Sequence, residues 1–115
     1  MRVLLAVCFA IALDGVAGAQ EHYEVRGVGV SSSAAYANMF RRAPDETDAM
    51  FSAWAMGYLS GINTGFENDF FDLNAKSPDE MTRYLRRYCD IHPLANYRDG
   101  VVELMKSLPL IPRKK

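Results

Sequence analysis

The chain has 115 residues, half of them hydrophobic, and its 13 lysines and arginines against 14 aspartates and glutamates give a formal net charge of −1. The two signs are interspersed, which argues against a nucleic-acid groove or a strongly cationic membrane surface, so no nucleic-acid partner is expected. The length suits one domain and no more.

Met1 to Ala19 carries one basic residue, an apolar run from Val3 to Leu13, and Ala17-Gly18-Ala19 before Gln20. This is the layout of a cleaved secretory signal, with small residues where the peptidase reads its site. Cleavage is expected after Ala19, which places the protein in the periplasm or outside the cell. The alternative, a membrane anchor, is disfavoured because about eleven strongly apolar residues are too few where a spanning helix needs roughly twenty. No integral membrane association is expected once the leader is gone. Cys8 lies in the middle of the apolar run, so lipidation there is disfavoured and it leaves with the leader. The mature chain then keeps only Cys89, a buried and inert free thiol on first reading. Without an intrachain disulfide, so small an exported domain must rely on helix packing or on a partner.

Residues 20–30, QEHYEVRGVGV, have no helical period and read as a mobile arm or short extended segment. Ser31-Ser32-Ser33 can accept an amide hydrogen bond at a helix start. The short helix that follows is expected to turn Ala35 and Met39 inward, with Tyr36 and Phe40 as further candidates, and to end on Arg41 and Arg42.

The chain is organised around residues 48–65, DAMFSAWAMGYLSGINTG. Phe51, Trp54, Ala55, Tyr58, Leu59, Ile62 and Phe66 recur at three- and four-residue steps, the period of one helix face. Trp54, the only tryptophan, is assigned to the core on that period. Ala53, Gly57, Gly61 and Gly65 form a second stripe of small residues. Each helical glycine costs about 1 kcal/mol against alanine, so Gly57 and Gly61 are expected to face another helix at close range. Residues 66–73 lose the period although Phe66, Phe70, Phe71 and Leu73 are apolar. They read as a loop folded back on the bundle or as an exposed apolar loop that touches a partner.

Ser77-Pro78-Asp79-Glu80 marks the next helix start, with a capping serine, a proline at the first helical position and a glutamate placed to close a capping box. Met81, Tyr84, Leu85, Tyr88 and Cys89 share its apolar side, and Arg83, Arg86 and Arg87 its wet side. Pro93 stops this helix. Asn96 and Asp99 start a fourth, with Val101, Leu104, Met105 and Leu108 inward. Pro109, Pro112 and the terminal basic residues are expected to end it and fray. The fold class is therefore all-α, a small bundle of about four helices with short connections. One helical domain over residues 31–108 lies between the arm and a tail at 109–115.

Chemistry is sparse. His22 and His92 do not make a metal-ligand set, and no catalytic, cofactor-binding or metal site is assigned. A non-enzymatic binding role is expected, with Trp54, Gly57, Tyr58, Gly61, Phe66, Phe70, Phe71, Tyr84 and Tyr88 as core or interface residues.

GYLSG at 57–61, YLRRYCDIHPL at 84–94 and the final amphipathic helix resemble the small periplasmic proteins of the HdeA/HdeB acid-stress chaperone type. The same stretch is similar to the Rap1a/Tai immunity proteins. The likeness covers about residues 30–108. It implies a signal peptide, a four-helix bundle and often a homodimer. It also implies a disulfide from the first helix to the cysteine matching Cys89. Here the matching position is Ser33, a departure that removes the staple and bears against a fully HdeA-like mechanism. The functional expectation is a periplasmic, chaperone-like protein that binds a protein partner or client in stress such as acid. The alternative is an immunity protein that inhibits a cell-wall-degrading toxin by direct binding.

Overall fold

Three of the four helices begin where a side chain takes up a free backbone amide. In the computed structural model, which describes residues 24–114, the helices are α1 (Ser33–Arg42), α2 (Pro44–Thr64), α3 (Pro78–Ile91) and α4 (Tyr97–Lys106). The expected leader, Cys8, His22 and the first residues of the arm lie outside the described residues. Ser32 Oγ accepts from Ala35 N at 3.0 Å to start α1, and Ser77 Oγ accepts from Glu80 N at 3.2 Å to start α3. Asn96 and Asp99 complete a reciprocal capping box on α4, each side chain accepting the other's backbone N–H at 3.0 and 3.1 Å. The second helix has no side-chain cap and starts on Pro44, followed by Asp45 and Glu46 in its first turn. The all-α bundle expected from the periodicity is present.

Its core is built from four-residue steps. Phe51, Ala55 and Leu59 of α2, Met81, Leu85 and Cys89 of α3, and Val101 and Leu104 of α4 share one buried cluster. Tyr36, Phe51 and Tyr97 form an aromatic cluster with centroids 4.8 to 5.3 Å apart, two of the three pairs edge to face.

The inward face of α1 differs from expectation. Ser33 and Tyr36 are buried, whereas Ala35 and Met39 are exposed. The large ring of Tyr36 gains most by entering the aromatic cluster, and this turns positions 35 and 39 outward. Arg86, placed on the wet side of α3, is instead half-buried. Its Nη2 donates to Asp48 Oδ2 at 2.8 Å, and its guanidinium lies 4.1 Å from the centre of the Phe40 ring. Asp48 Oδ1 also accepts from the Tyr36 hydroxyl at 3.2 Å, so one carboxylate ties α1, α2 and α3 together.

The segments read as a loop and a fraying tail form an antiparallel ribbon of β1 (Asp69–Phe71) and β2 (Leu110–Pro112), with Phe70 opposite Ile111. Asn63 of α2 explains its position. Its side-chain amide donates to Phe71 O and accepts from Phe71 N, both at 2.9 Å, as a neighbouring strand would.

The described part of the arm is also ordered onto the bundle. A 3₁₀ turn at Val28–Val30 lies against α2 and α4 with Gly29 buried. Beyond it, Ser33 N donates to Ala95 O at 2.8 Å and Tyr97 N to Ser31 O at 2.9 Å, joining the start of α1 to the α3–α4 loop.

Candidate functional site

The second helix carries the most distinctive surface, and its geometry follows from residue spacing. Positions 51, 55 and 59 point into the core. Positions 53, 57 and 61 lie two residues further on, about 200° around a helix of 3.6 residues per turn, and so point away from it. Ala53, Gly57 and Gly61 are exposed, and a β-carbon added at Gly57 or Gly61 would meet nothing within 4 Å. The expectation that these glycines face another helix is therefore corrected. Within the described residues, no helix covers them.

Trp54 and Tyr58 are set about 60° off the core face, between it and the outward stripe. Both are half-buried, and their rings stack at 5.1 Å with planes 18° apart. The Trp54 ring also reaches Tyr97 edge to face at 6.3 Å, so it forms a wall of the core and is not enclosed by it, as the period had suggested. Its Nε1–H donates to Arg26 O at 2.8 Å. Gly27, at φ +92°, and Gly29 let the backbone lie flat against the indole, and a β-carbon at Gly29 would overlap the Trp54 ring. Tyr58 Oη accepts from Arg98 Nε at 3.4 Å.

The result is a shallow depression of about 560 Å³ over Ala53, Trp54, Gly57, Tyr58, Gly61 and Ile62. Glu24, Val25 and Arg26 form its rim, with an exposed Arg26–Glu24 ion pair at 2.7 Å. It offers an aromatic platform beside a bare stretch of helix, and contains no nucleophile paired with a base.

The remaining predicted residues lie elsewhere. Phe66 is 41% exposed, Phe70 and Phe71 are half-buried on β1, and Leu110 beside them is 56% exposed. Phe66 and Phe71 meet edge to face at 5.8 Å. Tyr84 and Tyr88 flank α3. The Tyr88 ring seats on Gly100 of α4, where a β-carbon would stand 2.7 Å from it, and it also meets the His92 ring at 4.4 Å. Tyr88 is therefore a packing residue, and Tyr84 borders a polar hollow with Arg83 and Arg87. The candidate residues thus form three separate surfaces.

Cys89 and Ser33 are both buried. Burial raises the Cys89 pKa, and the Ser33 hydroxyl partly counters this, so the thiol has the environment of a packing residue. Among the described residues Ser33 Oγ has no hydrogen-bond partner.

Among the described residues there is no group of three or more metal-binding side chains, and no helix is long and apolar enough to cross a membrane. Comparison with protein-family models, with curated proteins and with solved structures gives no match.

Two features of the α2 surface were missed in the sequence. Gly27 and Gly29 lie in the segment read as a mobile arm or short extended stretch, although both are needed against the indole. The Asp48–Arg86 pair joins positions 38 apart, and no local spacing announces it.

Proposed function

We propose that this is a non-enzymatic, chaperone-like protein of the periplasm or cell exterior that binds a protein client on the outer face of α2. The observation that carries this reading is the open space over Gly57 and Gly61 beside the stacked Trp54 and Tyr58. Helical glycines are costly, and no close packing within the described chain offsets that cost. A client segment laid against the bare helix backbone would do so, with the aromatic pair as its anchor.

Asp48 joins three helices through one ion pair and one hydrogen bond, and opening that junction would loosen the bundle and offer more apolar surface to the client. Suppression of aggregation of a bystander enzyme, measured at neutral pH and at about pH 3, tests the reading. The wild-type chain is expected to suppress aggregation and the Gly57→Leu/Gly61→Leu double variant to lose the effect. Equal activity of the two would contradict it.

The immunity-protein reading draws support from a different surface. The Phe66, Phe71 and Leu110 patch lies at a ribbon tied to α2 by the two Asn63 hydrogen bonds, a surface that could plug one enzyme. A stable complex with a cell-wall hydrolase, abolished by Phe66→Ala, would favour it over the client-binding role.

A further inference from the structure

An apolar cleft opens to the surface between α2 and α3. The two helices run in opposite senses, with Asp48 meeting Arg86 at one end and Leu59 and Pro78 bordering the same cavity towards the other. Along this seam α2 presents Ser52 and Ala55 where larger side chains would close the gap to Met81 and Leu85. A half-open cleft of about 160 Å³ remains, lined also by Leu104 of α4 and by Ala53 and Pro78, both exposed. Its inner walls, Ala55, Leu59, Met81, Leu85 and Leu104, are buried. Ser52 and Thr82 are half-buried and so stand at its mouth, where both can reach water.

We propose that this cavity binds the alkyl or aryl end of a small amphiphile, with its polar head held at the Ser52 and Thr82 hydroxyls. Size and lining decide the chemistry. A sealed apolar cavity of about 150 Å³ lined by leucine, isoleucine and phenylalanine binds benzene, and this cleft is of similar size and apolar lining with one side open. The space here takes one aromatic ring or a short alkyl chain, and is too small for a peptide backbone. Water gains little inside it, because only the mouth offers hydroxyl partners. Ser52 Oγ makes only a long 3.4 Å bond to Ala49 O, which leaves it free to turn towards a head group.

Met56 and Met81 line the cavity, whereas the exposed Met39 and Met50 do not, so methyl resonances of the full chain supply both signal and control. Methionine-methyl-labelled protein is titrated with 1-hexanol and, separately, with benzene. Saturable shifts are expected at Met56 and Met81 with both probes, and none at Met39 and Met50. Ser52→Ala with Thr82→Val should weaken hexanol several-fold and leave benzene unchanged, the effect of losing a neutral hydrogen bond. Ala55→Leu should abolish both. If that variant does not fold, Ser52→Leu at the half-exposed mouth supplies the block. Linear shifts without saturation, shifts shared by Met39 and Met50, or binding that survives Ser52→Leu would overturn the site. Hexanol affinity unchanged by the hydroxyl variants would overturn the amphiphile assignment.

Discussion

Ser33 in the first turn of α1 and Cys89 in the last turn of α3 are both buried, at 0% and 2% exposure, near enough for the serine hydroxyl to offset part of the rise that burial gives the thiol pKa. The resemblance noted in the sequence implied a disulfide between these two positions. Replacing Ser33 with cysteine in a Cys8→Ser background should give a bridge closing a loop of more than fifty residues. Chain entropy suggests a gain of roughly 4 kcal/mol, lessened by any strain. The expected outcome is a monomer without free thiols and with a raised urea midpoint. Persistent thiols or intermolecular dimers would show that the helices are not paired in this way.

The glycines of α2 should respond in opposite directions from those of the N-terminal segment. Gly57→Ala and Gly61→Ala meet open space, so each should raise stability by about 0.5 to 1 kcal/mol through helix propensity. Gly29→Ala drives a methyl into the Trp54 indole and should cost about 1 to 3 kcal/mol. Denaturant melts measure both, and Trp54 emission should move to longer wavelength in the Gly29 variant as the segment lifts.

Asp48 holds Tyr36 and Arg86 at once, so Asp48→Ala removes two hydrogen bonds and strands a half-buried guanidinium whose Nε is already unpartnered. A loss of about 1.5 to 3 kcal/mol is expected at pH 7, as for hydrogen bonds to charged groups. Urea melts of Asp48→Ala and Arg86→Met, singly and together, should reveal strong non-additivity.

Alkaline unfolding should follow from the buried phenols. Burial, partly offset by the Arg86 guanidinium, pushes the Tyr36 hydroxyl up to about 12, and burial raises Tyr97 further. A folded-state pKa above the unfolded value favours the protonated form of the native chain. Its contribution is complete below an unfolded tyrosine pKa of about 10 and is lost as pH rises towards and through the folded value. Cys89, raised in the same way, begins to act at lower pH. Urea midpoints should therefore fall between pH 9 and 12, less steeply in Tyr36→Phe.

The helical fold was legible because four-residue steps at 51, 55 and 59 and at 81, 85 and 89 are strong local signals. The capping residues Ser77 and Asn96 were equally local. Legibility failed where distant parts of the chain meet. Asn63 supplies backbone partners to Phe71, and Phe70 pairs with Ile111, so the ribbon is a tertiary product of segments that look irregular alone. The α2 face was half legible. Its glycine stripe was visible, but the 200° offset from the core face that turns Gly57 and Gly61 outward was not carried through. Trp54 followed the helical period, yet a ring on the flank of that face becomes a wall between core and surface.

Trp54 is the only tryptophan in the chain, so a tryptophan-free unfolded client allows contact with the α2 face to be read directly from its fluorescence. The client-binding account predicts a saturable blue shift as the client covers the indole and the bare helix beside it. It also predicts loss of that shift in the Gly57→Leu/Gly61→Leu variant, whose own spectrum should remain that of the folded protein. Client binding or aggregation suppression that leaves Trp54 emission unchanged, or a shift that persists in the double variant, would contradict it.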